Sequence, residues 1–333
     1  MGQAGGQDGR LRLVFMGTPD FASEVLRHVL DWCRETGHGE VVGVYSQPDR
    51  PCGRGRACKP TPVKVLALEE GLPVYQPENF KTPEAVEELR ALDADVLLVA
   101  AYGLILPRAV LDSARHGAIN VHASLLPKYR GAAPIQRALL EGNPATGVTI
   151  MQMAEGMDTG DMLLQRALAI SYTDTAADLH DQLADMGGRM LCETLDMLRD
   201  GTLAPIPQDD ALATYAPKLS KDEGLLDFSR PAEEVDRRAR AMHPWPGAYF
   251  HLDMDDRDKP LRVSIQPGEI GDMRSDDSEP GQVLGVCGGR LEIACGDRVY
   301  RVARLTPRGK KSMDAEAFAC GYLGRCQQAR ACS

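Results

Sequence analysis

The sequence predicts an α/β protein, a doubly wound, mostly parallel Rossmann-like sheet followed by a small C-terminal β-barrel of OB-like type. The first supporting observation lies at the start of the chain. An apolar run at 11–16 passes through Gly17-Thr18-Pro19-Asp20 into residues at helical spacing (Phe21, Val25, Leu26, Val29, Leu30), then into a second apolar run at 41–45. Strand, turn, helix, strand is the unit from which parallel sheets are wound. The second is a pair of further apolar runs, 95–101 and 118–122, which read as inner strands. The third is a change of pattern after Asp210, to strand-like stretches at 263–265, 281–286, 290–294 and 299–305 separated by turn signals.

The elements follow in order. Thr18 is placed to cap the first helix, with Pro19 at its first position. Residues 47–62 hold Pro48, Pro51, Gly53, Gly55, Pro60 and Pro62 and read as one long loop. A helix is expected at 63–70, a short strand at 72–75, a helix at 83–92 and another from Pro107 to about 114. Beyond the strand at 118–122 come a helix at 132–140 and strands at 145–153 and 163–170. One long helix at 175–200 has apolar positions Leu179, Leu183, Met186, Met190, Leu191, Leu195 and Leu198 and is stopped by Gly201. Residues 1–10 are expected to be a disordered tail, 11–201 a catalytic domain, 202–210 a linker and 211–333 the barrel domain, with a helix at 231–242. Acidic surface loops are expected at 253–258 and 272–279.

The 333 residues carry a net charge of −10, which argues against indiscriminate binding of nucleic acid. Two local basic patches stand out: Arg50, Arg54, Arg56, Lys59 and Lys64, diluted by Asp49, and Arg298, Arg301, Arg304, Arg308, Lys310 and Lys311 with no acid among them. Two such patches favour a polyanionic partner. The nine cysteines are scattered without a Cys-x-x-Cys pair, so free thiols in a reducing cytoplasm are expected, and no metal site. No run of about 20 apolar residues is present, so no membrane-spanning helix is expected. Gly17-Thr18-Pro19-Asp20 stands where a dinucleotide-binding fold carries Gly-x-Gly-x-x-Gly.

The residues that carry chemistry are Asn120 and His122, at the carboxyl end of the run at 118–122, and Asp158, 36 residues past the histidine. Ligands of wound sheets sit beyond the carboxyl ends of their strands. Residues two apart on a strand point to one face, so Asn120 and His122 share one. An amide and an imidazole can donate to a developing oxyanion, and a carboxylate can orient the imidazole and help remove a proton. The trio suits attack of an amine on a formyl or acyl carbonyl.

The stretch Val121-His122-Ala123-Ser124-Leu125-Leu126-Pro127-Lys128-Tyr129-Arg130-Gly131-Ala132-Ala133-Pro134-Ile135 resembles the formyltransferases that use 10-formyltetrahydrofolate. Ala101-Tyr102-Gly103-Leu104-Ile105-Leu106-Pro107 and Gly156-Met157-Asp158-Thr159-Gly160-Asp161 add to the resemblance. Within that family the loop at 47–56 and the segments Tyr215-Ala216-Pro217-Lys218-Leu219-Ser220, His243-Pro244-Trp245-Pro246-Gly247-Ala248 and Gly309-Lys310-Lys311 resemble the branch that takes an aminoacyl-tRNA. The likeness runs from about residue 11 to 318 and leaves the tail, with Cys320, Cys326 and Cys332, outside it.

The resemblance implies transfer of formyl from 10-formyltetrahydrofolate to the α-amine of methionine on initiator tRNA. It also implies Asn120, His122 and Asp158 as the catalytic trio. Ser124, Leu125, Leu126 and Pro127 with Tyr102, Leu104 and Ile105 would form the folate site. Arg50, Arg54, Arg56, Lys59, Lys218, Arg304, Lys310 and Lys311 would meet tRNA. A monomer with no obligate protein partner is expected. Small-amine formylation is the rival inside the family, and a tRNA-binding protein without catalysis is the rival outside it.

Overall fold

The computed structural model describes residues 9–52, 57–255, 258–275, 277–324 and 328–333. The chain opens with β1 (Leu11–Gly17), α1 (Asp20–Thr36), β2 (Gly39–Tyr45), β3 (Arg50–Cys52), β4 (Ala57–Lys59), α2 (Pro62–Glu69), β5 (Val74–Tyr75) and α3 (Pro83–Arg90). Then follow β6 (Val96–Ala100), α4 (Arg108–Leu111), β7 (Ala118–His122), β8 (Arg130–Gly131), α5 (Pro134–Leu140), β9 (Ala145–Gln152), β10 (Met162–Ala169), α6 (Ala176–Arg199) and β11 (Tyr215–Ala216). The remainder is α7 (Ala232–Ala241), β12 (Ala248–Met254), β13 (Leu261–Ile265), β14 (Glu269–Met273), β15 (Val283–Cys287), β16 (Arg290–Ala294), β17 (Arg298–Val302), β18 (Arg304–Pro307), β19 (Met313–Asp314), α8 (Ala315–Phe318) and β20 (Ala329–Cys332).

Two compact units result. One comprises the described residues up to Pro134 with Ala145–Ala169 and His180–Ala216; the other comprises Ile135–Pro144, Ile170–Leu179 and Pro217–Ser333. The first is built on a seven-stranded sheet in the order β10-β9-β7-β6-β1-β2-β5. β1, β2, β5, β6 and β7 run parallel; β9 runs antiparallel to β7, and β10, antiparallel to β9, returns to the direction of the others. Val14, Met16, Leu97 and Val99 from the inner strands pack with Tyr45, Phe80, Leu89 and Val110 into one aliphatic and aromatic core. α6 lies close to the strand of the candidate site: a Cβ at Gly187 would come 2.6 Å from Val121 Cγ1.

Several local expectations change. Thr18 does not cap α1. Pro19 stands at the cap position, and the Thr18 hydroxyl donates to the Tyr102 carbonyl at 2.9 Å. The segment 47–62 is not a plain loop, because Arg50 pairs with Lys59 in a short antiparallel hairpin. The expected linker at 202–210 is bonded into the first unit. Ile206 exchanges two backbone hydrogen bonds with Met162, at 2.8 and 2.9 Å, and the Gln208 amide donates to the carbonyls of Asp158 and Gly160.

The second unit holds the expected antiparallel strands in two sheets, β19-β18-β13-β12-β20 and β14-β17-β16-β15. A bridge between Gln282 and Arg330 ties their edges. β20 comes from the tail beyond the resemblance and pairs with β12, His251 opposite Cys332. α5 packs within this unit: Arg137 reaches Glu223 with both terminal nitrogens, at 2.5 and 3.2 Å, and donates to the Pro217 carbonyl. Among the described residues no helix is long and apolar enough to cross a membrane.

Candidate active site

β7 delivers Asn120 and His122 to one face at its carboxyl end, opposite Met151 and Thr149 of β9. Both are buried, 9% and 6% exposed. The loop after β9 brings Asp158, in the left-handed region at φ 53°, to within 3.7 Å of His122, Oδ2 to Nδ1. That separation is too long for a hydrogen bond.

The imidazole is oriented by another group. His122 Nε2 lies 3.0 Å from the Tyr129 carbonyl. A carbonyl only accepts, so Nε2 carries the proton. The Tyr129 carbonyl thus orients His122 through Nε2, and Asp158 lies beside Nδ1. Tyr129 is itself held at φ 62°, with its N–H donated to Thr214 Oγ1 at 2.9 Å. Nδ1 is left as the nitrogen on the carboxylate side. Asp158 is fixed by the Gly131 N–H, which donates to Oδ2 at 2.8 Å.

The segment Ser124–Pro127 is held from β9 and β10. Thr149 Oγ1 donates to the Ser124 carbonyl at 2.7 Å and accepts from the Leu126 N–H at 3.1 Å. Gln165 Nε2 donates to the Leu126 carbonyl and to Thr149 Oγ1, both at 2.9 Å. The Ser124 hydroxyl is turned inward to the Lys128 carbonyl, 2.7 Å away. Ser124 and Leu126 are buried, whereas Leu125 and Pro127 are half-buried. Tyr102 is packed in the core, and its carbonyl accepts from Thr18 and Gln47. Leu104 is half-buried and Ile105 is 91% exposed, as is Met157 beside Asp158 at 65%.

Of the expected cations, Arg50 and Lys59 are exposed on the β3–β4 pair; Arg54 and Arg56 lie outside the described residues. Lys218, Arg304, Lys310 and Lys311 are exposed on the second unit. Among the described residues, Lys64 and Arg301 of the basic patches are engaged by acids. Lys64 Nζ donates to Asp49 at 2.6 Å, and Arg301 bonds Glu292 at 2.8 Å and Asp272 at 2.9 Å.

The sequence reading missed Thr149, Gln165, Gln208 and Thr214, which carry the site from behind. Thr149 had a signal: a polar residue in the middle of an apolar strand needs a partner. Gln208 had none, because it sits in what reads as a linker. Burial pushes the thiols of Cys33 up to about 11 and of Cys192 up to about 12, so both stay protonated and inert.

Residues 11–195 match the formyl transferase family, and residues 218–323 match the formyl transferase C-terminal domain. The chain belongs to the formyl transferase family. As a formyltransferase it is 56% identical over 319 residues to a methionyl-tRNA formyltransferase of Nitratidesulfovibrio vulgaris, covering 95% of this chain and 94% of the relative. It is 48% identical to the enzyme of that name from Marinobacter nauticus, covering 91% of this chain and 93% of that one. Its fold is similar to an N-formyltransferase from Helicobacter canadensis solved with folinic acid and dTDP-3-aminofucose. The TM-score is 0.62 at 16% identity, over 88% of this chain and 99% of that one.

Proposed function

We propose that this formyltransferase moves the formyl group of 10-formyltetrahydrofolate to the α-amine of methionine esterified to initiator tRNA, for translation initiation in the cytoplasm. The observation that carries the chemistry is His122, buried, with Nε2–H committed to the Tyr129 carbonyl and Nδ1 turned toward Asp158. The near full-length relatives named methionyl-tRNA formyltransferases support the acceptor. On this reading 11–201 is the catalytic part and 211–333 the tRNA-binding part of a protein acting as a monomer.

The side chains fit a flat, largely apolar co-substrate. Ile105 and Met157 are large, exposed hydrophobic groups in the loops after β6 and β9, and a ring system would cover them. Leu104 and the segment Ser124–Pro127 would complete that wall. The co-substrate supplies an activated one-carbon acyl group. The methionine amine adds to the formyl carbon to give a tetrahedral oxyanion, which collapses to the new amide as the bond to the folate nitrogen breaks. Asn120 donates to the formyl oxygen as charge gathers there, and so does His122 through Nδ1–H in its imidazolium form, with the Asp158 carboxylate close enough to stabilise that cation. Asp158 draws the proton released by the amine, which ends on the leaving nitrogen. Arg50, Arg54, Arg56, Lys59 and Lys218 meet the tRNA, and Arg304, Lys310 and Lys311 add phosphate contacts.

The test is His122→Ala. Turnover should fall by about 10²–10³ while tRNA affinity holds, as for loss of an oxyanion donor. A large loss of tRNA binding in that variant would contradict the assignment.

A further inference from the structure

We propose that Lys64, Asp49, Gln76 and Gln47 form a clamp at the root of the β3–β4 hairpin, positioning it for the tRNA, and that Lys64 acts in this clamp rather than on RNA. The inference rests on the tRNA reading of this enzyme. Lys64 belongs by sequence to the basic stretch, yet its ammonium is spent inward. Nζ donates to Asp49 Oδ2 at 2.6 Å and to Gln76 Oε1 at 2.7 Å. Gln76 Nε2 then donates to Asp49 Oδ1 and to the Gln47 carbonyl, both at 2.8 Å. A lysine only donates and a carbonyl only accepts, so these partners fix the amide's orientation. The three side chains close a ring that takes in Asp49, the residue just before β3.

The root is fastened on both sides. Gln47 Nε2 donates to the Tyr102 carbonyl at 2.9 Å, the same oxygen that accepts from Thr18. Gly103, at φ 77°, makes room for it: a Cβ there would stand 2.4 Å from Gln47 Nε2. Beyond the return strand, at the start of α2, Thr61 Oγ1 and Ser46 Oγ are 2.6 Å apart. The hairpin carrying Arg50 and Lys59 therefore leaves a fixed base next to the candidate folate loop. Fixing its base in advance lowers the ordering cost when tRNA binds.

The hydrogen bonds from Lys64 and then Gln76 hold the Asp49 carboxyl below the usual range, so it stays ionised at neutral pH. This sets up a test by sign. If charge toward RNA were all that mattered, Asp49→Asn would tighten tRNA binding by removing an acid. The clamp requires the opposite, a rise of about ten-fold in KM for tRNA with kcat at saturating tRNA unchanged. Lys64→Met should do the same, and the double variant should be no worse than either single one. The slope of log Kd against log salt separates the roles further. A lost phosphate contact lowers it by about 0.9, whereas a lost clamp leaves it unchanged. Binding of 10-formyltetrahydrofolate reports that each variant is folded. Tighter tRNA binding by Asp49→Asn, or a flatter salt slope for Lys64→Met, overturns the clamp alone. Wild-type enzyme that binds no initiator tRNA overturns the clamp and the functional reading together.

Discussion

At the scale of single residues, the site is a set of small tasks divided among groups that hold one another. Asp158 is fixed by the Gly131 N–H, a bond that an asparagine oxygen can also accept. Asp158→Asn should therefore keep the fold and lose proton removal and cation stabilisation, with kcat down about 10²-fold. Steady-state rates at saturating co-substrate and tRNA check this, and an unchanged kcat would remove Asp158 from the mechanism. Thr149 does its work from behind, through bonds to Ser124, Leu126 and Gln165. Thr149→Val leaves those buried groups short of partners. It should cost about 1–3 kcal/mol of stability and raise KM for the co-substrate, leaving kcat near wild type. Denaturant unfolding and the KM–kcat split read both effects.

At the scale of elements, two contacts decide where side chains stand. α6 approaches β7 at Gly187, and the residue it meets, Val121, lies between Asn120 and His122. Gly187→Ala drives a methyl into that contact and should destabilise by about 1–3 kcal/mol, seen as a lower urea midpoint. Because the methyl presses on Val121, between the two site residues, activity should fall by more than stability alone explains. In the second unit, Arg137 holds the Glu223 carboxyl below its ordinary value of 4.5, chiefly through their hydrogen bonds. The unfolded chain therefore takes up that proton first on acidification. The stability this pair contributes is complete above about pH 4.5 and is lost as pH falls through the lower folded value. Glu223→Gln should flatten the acid side of the stability–pH curve, and an unchanged acid limb would show that the pair contributes little.

At the scale of the whole molecule, the wound sheet and the site strand were legible because their physics is local. Apolar runs of strand length, helical spacing after residue 20 and a polar pair ending an apolar strand each follow from the adjacent residues. The β3–β4 pairing was not, since Pro and Gly in the text mask a three-residue strand. β20 was not, because its partner β12 lies some 80 residues earlier. The orienting role of the Tyr129 carbonyl was hidden for a different reason: a backbone oxygen has no letter in a sequence. The membership in the formyl transferase family accounts for the frame, and the trio at the carboxyl end of β7 accounts for the chemistry proposed on it. The measurement that tests this most directly is formylation of methionyl initiator tRNA by the purified protein with 10-formyltetrahydrofolate, beside methionyl elongator tRNA. The account predicts formyl-methionine on the initiator alone. Formylation of a small amine, or release of formate with neither tRNA modified, would contradict it.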